Sequence, residues 1–574
     1  SQRELLEIPG SPFAYWLSGA MRLAFAGTTE QREKNFAKGI SRDPLSNEVR
    51  VAQGITTGAN ARYLRNWWEV DHRRSNFDRG SGDPDSRRWV AADKGGEFRR
   101  WYGNNDFVID WQDDGKAIIE SPASTPRNIT TAFQPSLACS KITSGDPAFR
   151  YHERGFVFTD AAVSLTGAPD LEAIEGFLNS ATAREMLAAL APTLNFEVGQ
   201  IRSLPRPAFD GSTEVARLVR ELRDESRRDW DSFETSWDFT SPPWLGRPAS
   251  GDAAGEVSLS DHLAEWSARW TEIAHNQQVR EEANNRTIAK AFGLEDEVPH
   301  DVPLQKVSLT RNVAFRHGGG KTRADYDTLE RSSLVVEMIS YAVGCIMGRY
   351  SLDEPGLILA DAGATVQDYL TTVPSPTLRP DADNVIPFVD DGWFDDDIVE
   401  RFRHFLRVVF GTEHFEDNVR FIEQSLGVKS LRDYFVSKAG KSKFYDDHVQ
   451  RYKKRPIYWM FSSPKGSFNA LIYMHRYNPS TVSTVLNEYL REYRAKLEVA
   501  LTNAERAGVA GSSKDQKEAD RLRIVLAELS DYEHDVLYPL ATQQISIDLD
   551  DGVKANYPKF YPALRKIVGL EAAE

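Results

Sequence analysis

Cysteine is nearly absent: 574 residues contain two, Cys139 and Cys345. Two isolated thiols exclude a disulfide scaffold and fit a reducing cytosol. No C-x-x-C pair exists, so a cysteine-built structural zinc site is excluded as well. The eleven histidines include no H-x-x-x-H pair. No apolar run approaches the ~18 residues that a membrane span needs. The first residues, S-Q-R-E-L-L-E-I-P-G-S-P, carry no signal-peptide core and no initiator Met, as expected of a fragment or processed product. Positive charge is in deficit too, with 70 Lys and Arg against 85 Asp and Glu, a net −15. That argues against a chain that coats nucleic acid along its whole surface, but does not exclude one basic face on an acidic body. Apolar residues, 41% of the chain, suffice for several cores and exclude a mostly disordered protein.

The pattern predicts an α+β protein: mixed strands and helices first, then a mainly helical C-terminal region with a helical hairpin. Up to residue 210 the chain is rich in Gly, Pro, Asn and aromatics. Its short apolar runs at Phe107–Trp111, Ala117–Glu120 and Gly155–Thr159 read as strands bounded by turns. Leu171 to Leu190 has helical spacing, as does Val215 to Trp230. Residues 242–256 have a linker's composition. A helix capped at Ser258 runs to about Phe292, where Gly293 stops it. Ser332–Tyr350 is a further helix, and Thr371–Pro387 a loop. Residues 479–508 and 515–538 are amphipathic and predict an antiparallel hairpin.

Charge collects in two places. Between Ser425 and Tyr477 eleven cations, among them Lys441, Lys443, Arg451, Lys453, Lys454, Arg455, Lys465 and Arg476, face three carboxylates, a local net of +8. Eleven aromatics are interleaved with them. Cations neutralise phosphates and aromatics stack on bases. The alternative is a solvated basic face over an aromatic core. Between Arg62 and Trp101 ten cations face seven acids, a net of +3. This region and its flank hold donor-rich turns, Thr56–Asn60 and Lys94–Asn105, of the kind that can read base edges. Ordinary surface turns would look the same.

Several short motifs match known chemistry by letter but not by context. Ser241-Pro242-Pro243-Trp244 fits the [D/N/S]-P-P-[Y/F/W] pattern of amino-group methyltransferases, yet no strand and Gly-rich donor turn precede it. His317-Gly-Gly-Gly-Lys321 lacks phosphate-loop spacing. Asp390, Asp391, Asp395, Asp396 and Asp397 could bind a hard cation or open a helix. Tyr445-Asp446-Asp447-His448 is only loosely nuclease-like. Cys139 and Cys345 lie in apolar runs that predict core thiols.

Longer strings carry a resemblance. V-A-Q-G-I-T-T-G-A-N-A-R-Y-L-R-N-W-W-E-V (51–70), K-G-G-E-F-R-R-W-Y-G-N-N (94–105), C-S-K-I-T-S-G (139–145) and A-P-T-L-N-F-E-V-G-Q-I-R-S-L-P (191–205) resemble the target-recognition domain of adenine-specific DNA methyltransferases of the single-chain restriction type. I-S-Y-A-V-G-C-I-M-G-R-Y-S-L-D (339–353), R-P-I-Y-W-M-F-S-S-P-K-G-S-F-N-A-L-I-Y-M-H-R-Y (455–477) and D-D-G-V-K-A-N-Y (550–557) narrow it to the PglX family of BREX (bacteriophage exclusion) systems. Those chains are longer and place a catalytic domain first. Its donor-binding Gly-rich motif and its N-P-P-Y motif are missing here. The resemblance therefore implies the C-terminal portion of such an enzyme: a connector at 1–50 following the catalytic domain, a DNA target-recognition domain at 51–210, a helical spacer at 211–350 and a basic helical domain at 351–574. It implies a double-stranded DNA partner, with Thr57, Gly58, Asn60, Arg62, Arg65, Lys94, Arg99, Arg100, Asn104, Asn105 and Lys141 as candidate contacts beside the basic residues of 441–476. S-adenosylmethionine is implied for the full-length family and no cofactor for this chain. Implied partners are the methyltransferase half, other BREX components and a DNA-mimicking phage inhibitor, in the cytoplasm and away from membranes. An interaction hub, or a methyltransferase with an unrecognised donor site, is the alternative.

Overall fold

Short strands with buried residues on consecutive positions dominate the chain up to Thr166. The computed structural model describes residues 17–26, 45, 49–80, 87–143, 145–190, 196–205, 212–245, 258–389, 392–509 and 513–571. The 8–18 start, 191–195, 246–257 and Asp390–Asp391 fall wholly or mostly outside them. Two compact units emerge, each built from separate stretches of chain. The first joins the residues up to Arg65 with Arg74–Ser236 and Ala268–Tyr326; the second joins Asn66–Arg73, Trp237–Ser267 and Asp327–Glu574.

In the first unit β1 (Arg50–Gln53), β6 (Ser136–Ser140), β7 (Phe149–His152) and β9 (Ala162–Thr166) form an antiparallel sheet in the order β1-β9-β6-β7. Leu165 pairs with both Val51 and Leu137, and this face packs on Ile174, Phe177, Val215 and Ile288. The second sheet runs β2 (Leu64–Asn66), β5 (Phe107–Asp110), β4 (Trp89–Asp93), β3 (Ser75–Asn76), and β8 (Phe156–Phe158) also pairs with β4. The predicted strands near 107 and 155 are therefore present.

Ala117–Glu120 is not a strand. It ends α2 (Gln112–Ile119), because Asp113, Asp114 and Gly115 take left-handed φ values of 52°, 57° and 73° and turn the chain back. Ile118 then enters the core while Ile119 faces solvent, so a run of three apolar residues supported the wrong period. Leu171–Leu190 is two helices, α3 (Leu171–Leu178) and α4 (Ala181–Leu190). The break is built: the Asn179 side chain accepts from Phe149 N and donates to Phe149 O at 2.9 and 3.0 Å, tying the kink to β7. The apolar stripe of α5 (Ser212–Asp231) buries Val215, Leu218, Val219 and Leu222. α6 (Leu259–Phe292) starts where Ser258 Oγ accepts from Asp261 N and stops before Gly293, whose φ is +67°.

The second unit packs around α7 (Arg323–Met347), buried almost continuously from Leu334 onward. It begins earlier than its apolar run, since its first turns are polar and exposed, and it ends at Met347, before Gly348, rather than at Tyr350. The hairpin of β11 (Tyr458–Ser462) and β12 (Asn469–Tyr473) lies beside it, with Ile386–Pro387 pairing on β12 as β10. α11 (Arg491–Val509) and α12 (Ser513–Asp531) make the predicted antiparallel hairpin around Tyr493, Leu497, Leu522 and Leu529. Arg523–Glu505 and Arg491–Glu533 pairs, both 2.7 Å, cross it. Among the described residues no helix is long and apolar enough to cross a membrane.

One acidic group in this unit has a chemical consequence. Tyr489 Oη lies 3.0 Å from Asp383 Oδ2 and 2.7 Å from Asp396 Oδ2. A single phenolic proton serves only one of them. Asp381 beside them accepts from Asn384 N at 2.7 Å and faces Arg476. Burial, then the Asp383 carboxylate, pushes the Asp381 carboxyl up to about 7 despite Arg476, and burial also raises Asp396. Arg401 favours ionisation of Asp396 from the other side. An unfolded Asp carboxyl titrates near ~4, so the folded chain keeps a proton that the unfolded chain releases. The stabilisation is complete below that range and is lost as pH rises through about 7. We predict that Asp381→Asn flattens the fall in urea midpoint between pH 5 and pH 8, measured on the same full chain.

Candidate nucleic-acid interface

Three strands of the first unit end at one rim. β1 leads into Gly54–Asn60, β4 into Lys94–Glu97 and β6 into Lys141–Thr143, while the β8–β9 turn at Thr159–Ala161 stitches them together. Ile55 N donates to Phe158 O and Asp160 N to Ile55 O, at 2.8 and 3.0 Å. Thr159 N donates to Asp93 O and Lys141 N to Ala161 O, both at 3.0 Å. The approach is close enough that a Cβ on Gly54 would lie 1.9 Å from Phe158 O. Thr56 Oγ1 donates to Asp160 Oδ2 at 2.9 Å.

The predicted residues of this rim divide by exposure. Gly58, Asn60 and Arg62 are exposed, and the Arg62 guanidinium covers the Tyr63 ring at 5.1 Å. Thr57 is buried and donates to Asn60 Oδ1 at 2.6 Å, which fixes the turn around Gly58 (φ +68°). Lys94 is half-buried over the Phe107 ring at 4.8 Å. Lys141 is half-buried and pairs with Glu197 at 3.5 Å. Arg65 donates to Ala61 O and Leu64 O at 2.6 and 2.8 Å.

The rest of the 94–105 loop turns inward. Arg99 is buried, its Nη1 3.2 Å from both Asp229 Oδ2 and Ser308 O, with the Trp230 ring beneath it. Asp229 also accepts from Thr310 N and Arg311 N, both at 2.7 Å. Arg100 Nη1 and Trp101 Nε1 each donate to Glu281 at 2.8 Å. Asn104 is buried at φ +61° and donates to Glu97 O at 2.9 Å, and Asn105 is buried beside it. Arg99, Arg100 and Trp101 hold the loop to the body of the unit, while Asn104 braces it from within.

In the second unit the basic residues of 441–476 fall into separate groups. Lys441 and Lys465 lie on two turns pressed together at Gly440 and Gly466, where a Cβ on Gly440 would sit 2.4 Å from Lys465 O. Lys443 is exposed at the start of α10 (Lys443–Arg451). Arg451, Lys453, Lys454 and Arg455 lie at or just past its other end, which is about 12 Å of helical rise away. Lys453 and Lys454 are exposed, with left-handed φ of 51° and 60° that splay them outward. Arg455 is partly buried, 3.9 Å from Glu69. Arg476 is buried and donates to Met347 O and Ala382 O, both at 3.2 Å.

The aromatics of this segment are not stacking platforms. Tyr434, Phe435, Phe444, Tyr445, Tyr452, Tyr458, Trp459, Phe461, Tyr473 and Tyr477 are all buried. The β11–β12 hairpin is buried at nearly every position, and helical spacing before it turns the preceding aromatics into core. Trp244 of the S-P-P-W motif is likewise buried, against Tyr341 and Phe410. The Tyr445–His448 motif is dispersed: Asp446 pairs with Arg565, Asp447 accepts from Tyr434, and His448 Nε2 accepts from Tyr458 N. Asp397 caps its helix and takes a two-toothed contact from Arg432 at 2.9 Å, the helix-opening role of that acidic run. Among the described residues no group of three His, Cys, Asp or Glu could hold a metal ion. Both cysteines are buried, and burial pushes the Cys139 thiol up to about 12.

Sequence reasoning missed Asp93, Ser140 and Asp160, which organise the rim. Each is a polar residue at the end of an apolar run, a signal no different from an ordinary turn.

Fold and rim together describe a two-unit α+β chain whose first unit presents loops from three strand ends. Two curated proteins are similar over almost all of it. Adenine-specific methyltransferase BrxX of Escherichia coli O9:H4 (strain HS) is 32% identical over 598 residues, 99% of this chain and 46% of that protein. Adenine-specific methyltransferase PglX of Lacticaseibacillus casei (strain Zhang) is 32% identical over 592 residues, 97% of this chain and 45% of that protein. The chain thus spans about half the length of these relatives. No family model matches it.

The burial pattern separates loop anchors from exposed candidates. Arg99→Ala takes the paired guanidinium from the buried Asp229 carboxylate, leaving it the Thr310 and Arg311 amides, and is expected to cost about 3 kcal/mol. Arg62→Ala should stay within about 0.5 kcal/mol. Denaturant unfolding of the two variants checks both.

Proposed function

We propose that this chain is the DNA-recognising portion of a PglX-like adenine-specific methyltransferase of a BREX system. The observation that carries the reading is the rim where the ends of β1 at Ile55–Thr56, β4 at Asp93 and β6 at Lys141 are joined through Thr159–Ala161, with the Gly58–Arg62 turn following the first of them. Exposed Asn60 and Arg62 supply the donors and acceptors that base edges require. Sequence similarity to adenine-specific methyltransferases supports it, as does the exposure of Lys441, Lys443, Lys453, Lys454 and Lys465, which suit phosphates. In this reading the rim carries specificity and the lysines of the second unit carry salt-dependent affinity.

S-adenosylmethionine does not fit the described residues. Its usual cradle is a strand, a Gly-rich turn and a helix start in a parallel sheet. Here the one Gly-Gly turn after a strand, Gly95–Gly96, continues into irregular backbone and not into a helix. In this reading the donor and the methyl-transfer chemistry belong to a catalytic half, which this chain would direct to its adenine. That half, other BREX components and a DNA-mimicking phage inhibitor are the partners this role implies, the inhibitor on the same basic faces. A second reading, docking of BREX proteins on the helical hairpin, is favoured by Val499, Val509 and Ile524, which are 63%, 89% and 60% exposed there.

A mobility-shift series over salt concentration tests the first reading. We expect duplex DNA to bind with an affinity that falls steeply with salt; no binding to any duplex at low salt overturns it. Replacing Lys453 and Lys454 by Ala should weaken all duplexes alike, while Asn60→Ala should relax preference between sequences. Calorimetry with S-adenosylmethionine should give no heat.

A further inference from the structure

The rim contains a buried charge cluster that neither the recognition reading nor the similarity to known enzymes assigns. Asp93 ends β4, and its carboxylate is 1% exposed. One face of it accepts from Gly95 N at 2.6 Å. The other meets His152 Nε2 at 2.6 Å and Arg150 Nη2 at 3.6 Å, both from β7 and both equally buried. Its main-chain carbonyl accepts from the amide and the hydroxyl of Thr159, each at 3.0 Å. Burial disfavours the ionised carboxyl, but His152, Arg150 and the Gly95 amide outweigh it and hold Asp93 well below the ordinary carboxylate range. Asp93 is thus a fixed anion at the root of the rim.

The turn it holds is otherwise poorly determined. Gly95 and Gly96 have φ of +71° and +150°, conformations with little intrinsic preference to select them. A second clamp lies opposite: Ser140 Oγ accepts from Gly96 N at 3.0 Å and donates to Gly96 O at 2.9 Å. A buried ion pair needing only stability would not require a two-residue glycine turn wrapped over it. Readout of base edges does require donors held within a fraction of an ångström.

We propose that Asp93 is a positioning residue for sequence readout: its carboxylate, clamped by Arg150 and His152, fixes the Gly95–Gly96 turn and so places Lys94 at the rim. This rests on the DNA-recognition reading, but its structural half can be measured without DNA. Asp93→Asn keeps the shape and removes the charge. In the full chain we expect faster amide exchange in a peptide covering 94–98. We also expect about a tenfold drop in the ratio of best to worst affinity across a randomised duplex library, with the salt slope unchanged, as when one base contact is lost. A folded variant with wild-type exchange and wild-type ratio overturns the proposal. Should Asp93→Asn fail to fold, Ser140→Ala releases the turn from its neutral side. Faster exchange and a lowered ratio there support positioning of the turn, and no change in either overturns it. A wild-type chain that does not distinguish duplexes would remove the recognition reading, leaving exchange to decide whether Asp93 holds the turn.

Discussion

A charge withdrawn from water must be met by other charges or by oriented N–H and O–H groups, and in this protein that constraint decides where the loops go. Asp229 gathers Arg99 with the backbone of Thr310 and Arg311. Glu281 gathers Arg100 and Trp101. In the second unit Glu528 accepts from Ser463, Lys465 N and Ser467, at 2.6, 2.7 and 2.5 Å, and so fastens α12 to the β11–β12 turn. Glu69 likewise accepts from Asn66 N and Val553 N, at 3.2 and 2.9 Å. In each case a carboxylate on or beside a regular element collects segments distant in sequence. Apolar cores set the elements, and these carboxylates set the irregular backbone between them.

The same constraint sorts the cations. Net charge says little about what the surface offers, because several arginines serve internal partners. Arg349 is the extreme case. It is fully buried, donates to the Tyr473 and Tyr350 hydroxyls at 2.7 and 3.1 Å, and has the Trp67, Tyr350 and Tyr473 rings within 6 Å. Burial works against its charge, but the ring of tyrosine hydroxyls keeps it protonated. The exposed cations of the basic segment are mostly lysines. An ammonium on a flexible stem suits phosphate neutralisation, whereas the planar guanidinium suits fixed forks inside the fold.

Much of the fold was legible from periodicity. The hairpin at 491–531, the capped helix from Leu259 to Phe292 and the strands at 107 and 156 follow from patterns long enough, or punctuated sharply enough, to allow one interpretation. The failures have local causes. Ala117–Ile119 is too short to distinguish helix from strand, and three left-handed residues before it settle the matter. The break at Asn179–Ser180 depends on a side chain bonding to Phe149, thirty positions earlier, which no local pattern contains. Of the candidate site, the turn at Thr57–Asn60 and the exposure of Lys441, Lys443, Lys453, Lys454 and Lys465 could be read in advance. That Arg99, Arg100 and Arg476 face inward could not, since an arginine in a polar stretch has the same letters on either side of the surface.

The sequence by itself determined the fold class, the apolar faces of the long helices, the thiol chemistry and the local charge excesses, because each depends on residues close in the chain. Tertiary structure alone decided which cations face solvent, which aromatics become core and which three strand ends meet at one rim. Those depend on partners hundreds of residues apart, such as Arg99 with Ser308 and Trp68 with Arg455. Such pairings follow from satisfying buried charge and hydrogen bonds across the whole fold, and no window of sequence contains both sides of them.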